Sequence, residues 1–123
     1  MSALPAEFDQ WSRPFGVLRV SLTARCNLAC PYCCPDQKDP PGLLNLDQHL
    51  RLIRVASGLG IQTLRLTGGE PLLSDRLLPL LEALAAGRAD AAGPLSRLRD
   101  VALTPNGVLL TPEKALALRA AGL

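Results

Sequence analysis

Apolar positions along the 123-residue chain follow two alternating rhythms. Short runs with period two read as strands: "VLRVSL" at 17–22, "QTLRLT" at 62–67 and "DVALT" at 100–104. Longer stretches with apolar positions three and four apart read as helices. The first helix begins near Leu46, with Asn45 as N-cap and Gln48 three places on, a capping-box pattern. Leu46, Leu50, Ile53 and Ala56 supply its apolar stripe, and Gly58 and Gly60 end it. Within that helix His49 reads as a surface residue. The second helix starts near Asp75 behind a Ser74 cap, with Leu77, Leu80, Leu81 and Leu84 on one side. A polar Gly/Ala-rich loop follows at 86–97. The third helix has Thr111 as N-cap and Pro112 at its first position, where a missing N–H does no harm.

Strand, loop and helix thus repeat three times, which predicts an α/β fold with a parallel sheet and right-handed crossovers. In such sheets functional loops lie past the carboxyl ends of the strands. The cysteine-rich loop, Gly68-Gly69-Glu70-Pro71 and Thr104-Pro105-Asn106-Gly107 each follow a strand directly, so all three are expected on one rim. Parity divides the strands into two faces. Leu18, Val20, Leu22, Leu64, Leu66, Val101 and Leu103 take one. Arg19, Ser21, Thr23, Thr63, Arg65, Thr67, Ala102 and Thr104 take the other. A closed eight-stranded barrel fills its interior with bulky apolar layers. A polar inner face instead predicts an open, curved sheet around a wet ligand cavity. The competing expectation is a sheet with one solvated face, common where strands are antiparallel. Helix-length inserts between the strands weigh against it.

Composition narrows the function classes. Hydrophobic residues make up 48% and aromatics only 3%, so the core must be built from Leu, Val, Ile and Ala. The length suits one domain. A net charge of +2 without a basic block argues against a nucleic-acid partner and leaves room for a small anionic ligand. The first fifteen residues lack an apolar core of the secretory kind, and no apolar run approaches the ~20 residues of a membrane span. A cytoplasmic protein with no membrane partner is expected. In that compartment clustered cysteines more often ligate metal or do chemistry than form disulfides.

All four cysteines lie in "ARCNLACPYCCP", residues 24–35. Cys30-Pro31-Tyr32-Cys33 could be a dithiol redox pair. Such a pair needs its first cysteine at a helix N-terminus. Prolines 35, 40 and 41 oppose a helix there, and Cys26 is left idle. Structural zinc prefers four tetrahedral ligands in two spaced pairs. Here three come from one stretch, and a fourth would have to be Cys34 or His49. Cys26, Cys30 and Cys33 together suit a [4Fe–4S] cluster with one iron left open, since four cysteines would close it.

The pattern Cys-x3-Cys-x-aromatic-Cys after a first strand, with Gly-Gly-Glu-Pro after the second, resembles the radical S-adenosylmethionine (SAM) superfamily. "LRVSLTARCNLACPYC", "LRLTGGEPLL" and "LRDVALTPNGVLL" are similar in particular to the GTP 3′,8-cyclases of molybdenum cofactor biosynthesis. The resemblance implies a [4Fe–4S] cluster on Cys26, Cys30 and Cys33 that cleaves S-adenosylmethionine reductively to a 5′-deoxyadenosyl radical. It implies cofactor contacts from Tyr32, Gly68, Gly69 and Glu70, the Gly69 backbone meeting the methionyl amino group. It implies that Arg19, Arg65 and Thr104 contact GTP, and that an electron donor protein is a partner. The whole-enzyme reaction so implied converts GTP to (8S)-3′,8-cyclo-7,8-dihydroguanosine 5′-triphosphate, a lyase step.

The resemblance runs over residues 9–123, with Asp9 and Arg13 matching a loose Asp-x3-Arg pattern before the first strand. Residues 1–15 are expected to form an N-terminal extension, and 16–123 the N-terminal part of a radical SAM core. The resemblance implies an incomplete parallel (β/α) barrel of about three βα units; in the family the barrel continues, and a C-terminal region with three further cysteines holds a second cluster. The third strand is therefore expected to show an unpaired edge. Two positions depart from the family: Cys34 stands where Met or Leu is usual, and Pro105 where Thr is usual. A peptide-modifying radical enzyme and a non-catalytic metal-binding remnant are the alternative expectations.

Overall fold

A computed structural model describes residues 8–13, 16–25, 39, 41–105 and 107–123. Three strands, β1 (Val17–Ser21), β2 (Thr63–Thr67) and β3 (Asp100–Leu103), form a parallel sheet in the order β1-β2-β3. The helices α1 (Leu46–Gly58), α2 (Leu77–Ala89) and α3 (Pro112–Ala120) alternate with them. The α/β class and the parallel pairing are as expected. β1 and β3 each end one residue before their apolar runs, and β2 begins one residue into its own. Backbone pairing continues past these ends: the Leu22 N–H donates to the Thr67 carbonyl at 3.0 Å, the Thr104 N–H to the Leu66 carbonyl at 3.2 Å, and the Arg99 N–H to the Gln62 carbonyl at 2.8 Å. Among the described residues β3 is an edge of the sheet.

The apolar parity face is the core. Val20, Leu22, Leu64 and Leu66 are buried there, against Leu50, Ile53 and Ala56 of α1 and Leu77, Leu80, Leu81 and Leu84 of α2. At about 25 cal/mol per Å² of apolar surface, each such leucine contributes about 1.5–3 kcal/mol. The α1 capping box forms as predicted: the Asn45 side chain accepts the Gln48 N–H at 2.9 Å, and Gln48 Oε1 accepts the Asn45 N–H at 2.8 Å. Thr111 likewise caps α3, accepting the Lys114 N–H at 3.1 Å, with Pro112 behind it.

Three local expectations are corrected. His49 is not a surface residue: it is 2% exposed. Leu46, His49, Leu50, Ile53, Ala56 and Ser57 follow the i, i+3, i+4, i+7 spacing, so position 49 falls on the inward stripe. The second helix starts at Leu77, not near Asp75, because Pro71–Leu73 first forms a 3₁₀ turn. Ser74 closes that turn, its N–H donating to the Pro71 carbonyl at 3.1 Å. Finally, α2 runs through Gly87 and Arg88 to Ala89, and the loop beyond it is not wholly polar. It buries Leu95 and Leu98, and a Cβ at Gly87 would come within 2.5 Å of Leu95 Cδ1, so glycine opens the seat for that leucine.

No helix among the described residues is long and apolar enough to cross a membrane.

Candidate functional site

Cys26, Cys30, Cys33, Cys34 and Tyr32 lie outside the described residues, as does Asn106. The chain on either side of the cysteine segment is described, and it is tied down at many points. Past the sheet the β1 and β2 exits stay paired. The Gly69 N–H donates to the Thr23 carbonyl at 2.8 Å, and the Glu70 N–H to the Arg25 carbonyl at 2.7 Å. Gly68 has φ +152°, and a Cβ on it would sit 2.6 Å from the Thr23 carbonyl oxygen. A Cβ on Gly69 would collide with the Arg25 carbonyl oxygen and come within 2.6 Å of that of Ala24. These two glycines therefore admit the backbone that leads into the cysteines. Glu70 is fully buried, and its Oε1 accepts the Leu72 N–H at 3.1 Å, capping the 3₁₀ turn that follows.

Asp39, at the far end of the cysteine segment, returns to this junction. Its Oδ1 accepts the Thr23 hydroxyl at 2.5 Å and the Ala24 N–H at 2.8 Å, while Oδ2 lies 3.6 Å from Arg25 Nε. The Thr23 hydroxyl foremost, then the Ala24 N–H and the charges of Arg25 and Arg76, hold the Asp39 carboxyl below its ordinary range. Thr23 is buried. Arg25 is held at both ends: its N–H donates to Thr23 Oγ1 at 3.2 Å, and its Nη2 to the Leu73 carbonyl at 2.9 Å. Nothing in the cysteine spacing marks Asp39, which is why sequence reasoning passed over it. Arg25 could have been found by its place beside Cys26.

The polar face of the sheet carries the other predicted residues. The register sets Arg19 beside Arg65 and Arg65 beside Ala102. One step toward the carboxyl ends, Ser21 lies beside Thr67, and Thr104 follows Leu103, the partner of Leu66. Arg19, Arg65 and Thr104 are all exposed. Adjacent strands are ~4.8 Å apart, so the two arginine stems are close neighbours. Neither has an ion-pair partner among the described residues. Guanidinium groups so placed can donate paired, charge-assisted hydrogen bonds to anionic oxygens.

Asp9 and Arg13 serve each other. The Arg13 Nε donates to Asp9 Oδ2 at 2.5 Å, and Asp9 Oδ1 accepts the N–H groups of Trp11 and Arg13 at 2.9 Å. The Arg13 guanidinium lies 5.1 Å from the centre of the exposed Trp11 ring. The Arg13 N–H is the main cause lowering the Asp9 carboxyl pKa. The pair builds a local turn in front of β1.

A sequence model of the Radical SAM superfamily matches residues 20–123. A GTP 3′,8-cyclase from Synechococcus sp. (strain WH7803) is 79% identical over the whole chain, which covers 35% of that relative. The GTP 3′,8-cyclase of Parasynechococcus marenigrum (strain WH8102) is 67% identical over the whole chain, which covers 36% of it. That of Petrotoga mobilis is 39% identical over 94% of the chain and 34% of the relative. The chain thus spans about a third of the length of the curated relatives it matches.

Proposed function

The chain belongs to the Radical SAM superfamily, and from that premise we propose that it is the cluster-bearing N-terminal part of a GTP 3′,8-cyclase acting in molybdenum cofactor biosynthesis. Its three βα units begin a partial barrel whose polar face lines the reaction chamber, residues 16–123 forming the first part of that core behind an N-terminal extension at 1–15. Cys26, Cys30 and Cys33 are the cluster ligands. The donor set fits the group, because three thiolates in eight residues leave one iron of a [4Fe–4S] cube without a protein ligand. When bound, the cluster supplies the electron, delivered by a donor protein, that cleaves S-adenosylmethionine to methionine and a 5′-deoxyadenosyl radical.

The chain's own residues bind and orient. Gly68 and Gly69 hold the entrance of the cysteine segment against β2. An ammonium group donates, so the methionyl amino group of the cofactor meets a carbonyl of the Gly-Gly-Glu-Pro turn. The Gly69 N–H is already committed to Thr23. Glu70 fixes the shape of that turn through the Leu72 N–H. Tyr32, the aromatic before the third ligand, would take the adenine.

Arg19 and Arg65 carry the substrate assignment. They are adjacent like charges on an exposed face, with the small Ala102 completing the row and the Thr104 hydroxyl one step above. Two guanidiniums side by side are matched by a polyanion such as the triphosphate of GTP, to which each can donate paired hydrogen bonds. A location in the cytoplasm accords with clustered cysteines kept reduced and free to ligate.

The test uses the full-length protein, reconstituted anaerobically with iron and sulfide. Iron retention and S-adenosylmethionine cleavage under reduction are expected in wild type and lost in Cys26→Ala, Cys30→Ala and Cys33→Ala. Arg65→Ala should weaken GTP binding by roughly tenfold or more, the worth of a charge-assisted hydrogen bond, while leaving cleavage of S-adenosylmethionine intact. A colourless, zinc-loaded wild-type protein would overturn the assignment, as would GTP affinity indifferent to Arg65.

A further inference from the structure

The stretch 23–25 and residue 39 bracket the cysteine segment, and the structure ties the two brackets together. One carboxylate oxygen of Asp39 takes both the Thr23 hydroxyl and the Ala24 N–H, and the other faces Arg25. Arg25 then reaches the Leu73 carbonyl beyond the Gly-Gly-Glu-Pro turn, while its own carbonyl takes the Glu70 N–H. The residue next to Cys26 is thus held through its N–H, its carbonyl, its Nε and its Nη2. A free chain of this span samples many end-to-end separations, and closing it costs entropy that a ligand would otherwise have to offset. An incoming cluster then has less chain to order, because the two ends are already joined.

We infer that Asp39 is a positioning residue that joins the two ends of the cysteine segment, with Thr23 and Arg25 as its partners, so that the chain entering and leaving Cys26, Cys30 and Cys33 is tied together before any cluster binds. This rests on the assignment of those cysteines as ligands. A carboxylate suits the task because one oxygen can accept two donors while the second faces a guanidinium. Asparagine keeps an acceptor oxygen for Thr23 and Ala24 and loses the attraction to Arg25. Alanine loses everything. The order of effects is therefore set by chemistry: Asp39→Ala above Asp39→Asn above wild type.

The experiment has two arms in the full-length protein. In the metal-free protein, amide hydrogen exchange is followed at Ala24 and Arg25, with the β2 amides and the α1 amides as internal controls. Asp39→Ala should raise exchange at Ala24, whose N–H donates to Asp39, by about tenfold, the worth of one net hydrogen bond, and at Arg25, whose N–H donates to the Thr23 hydroxyl oxygen that Asp39 holds, by less; Asp39→Asn should raise both by less again, and neither should change the controls. In the second arm each protein is reconstituted anaerobically, and both iron retained against a chelator and the electron paramagnetic resonance spectrum of the reduced cluster are read. Asp39→Ala should lose iron several-fold faster than wild type and show a broadened or heterogeneous spectrum, with Asp39→Asn between. Unchanged exchange at Ala24 and Arg25 in Asp39→Ala overturns the clamp. Raised exchange with wild-type iron retention and spectrum overturns its role toward the cluster. A wild-type protein that takes up no iron overturns the ligand assignment instead, and the exchange arm still decides whether the clamp exists. If Asp39→Ala does not fold, Asp39→Asn and Thr23→Val, which exchanges the hydroxyl for a methyl of similar size, are compared in its place; both must raise exchange at Ala24 for the inference to stand.

Discussion

Leu64 and Leu66 are fully buried on one face of the sheet, and Arg65, between them, is exposed on the other. The same contrast runs along β1, where Val20 is buried and Arg19 and Ser21 are exposed. One backbone therefore carries two sets of residues judged by different criteria. On the covered face what matters is volume, because α1 and α2 leave no space. On the open face what matters is charge and hydrogen-bonding capacity. Leu64→Ala should accordingly give the largest loss, about 2–5 kcal/mol, since it removes methyl groups from a site that cannot collapse around the gap. Urea unfolding of the full-length protein measures it. A loss under 1 kcal/mol would mean that the helices do not pack on that face.

The rim separates two kinds of glycine in the same way. Gly69 meets the backbone of Ala24 and Arg25, which cannot swing aside as a flexible side chain would. Gly58, at the end of α1, has open space around the position of a Cβ. Gly69→Ala should destabilise by about 1–3 kcal/mol through overpacking. It should also raise amide exchange at Arg25 and Glu70 as the two strand exits part. Gly58→Ala should instead stabilise by up to about 1 kcal/mol, because alanine loses less chain entropy in a helix. Equal effects at the two positions would remove the claim that the turn is built around the cysteine-loop entrance.

Much of the covered face was legible, because period two in Leu64 and Leu66 and period 3.6 in Leu50, Ile53 and Ala56 report burial directly. The caps Asn45 and Thr111 were legible for the same local reason: the donor they satisfy lies three residues away. Arg19, Arg65 and Thr104 could be grouped on one face from parity alone, and the parallel register then made Arg19 and Arg65 neighbours. What local pattern could not supply was contact across distance. Asp39 meets Thr23 sixteen residues away, and Arg25 meets Leu73 forty-eight away. Leu95 and Leu98 are buried from within a loop whose other residues are polar or small, so no period announces them. His49 failed for another reason, since its residue type outweighed its place on the inward stripe.

That histidine gives the next prediction. Burial is the main cause lowering its pKa from the ordinary 6.5, and the charge of Arg76 adds to it, while the Asn45 and Ser21 carbonyls pull the other way. Its Nδ1 has no hydrogen-bond partner among the described residues. A group whose folded pKa is depressed binds its proton more readily in the unfolded chain. Its contribution is then complete above about pH 6.5 and declines as pH falls below that value. For one proton the slope cannot exceed about 1.4 kcal/mol per pH unit. Stability measured between pH 7.5 and 5 should fall in wild type and fall less steeply in His49→Gln. Identical slopes would place the pH dependence elsewhere.

The smallest effect on stability is expected at Arg65, the residue proposed to take the triphosphate. Arg65→Ala removes an exposed side chain with no ion-pair partner among the described residues, so the expected change is within about 0.5 kcal/mol. Its sign is informative. Like charges on neighbouring strands repel, so losing one of Arg19 and Arg65 relieves a strain of a few tenths of a kcal/mol that the resting sheet carries. Salt should narrow the difference between wild type and variant, because exposed charges are screened. A triphosphate nucleotide should reverse it, raising the melting temperature of wild type and not of Arg65→Ala, since a ligand that binds only the native state stabilises it by mass action. The neighbouring Leu64→Ala should behave oppositely, with a large stability loss and nucleotide stabilisation retained for as long as the chain is folded. If Arg65→Ala instead unfolds the protein as Leu64→Ala does, the polar face is a second core in the folded enzyme and not a binding surface.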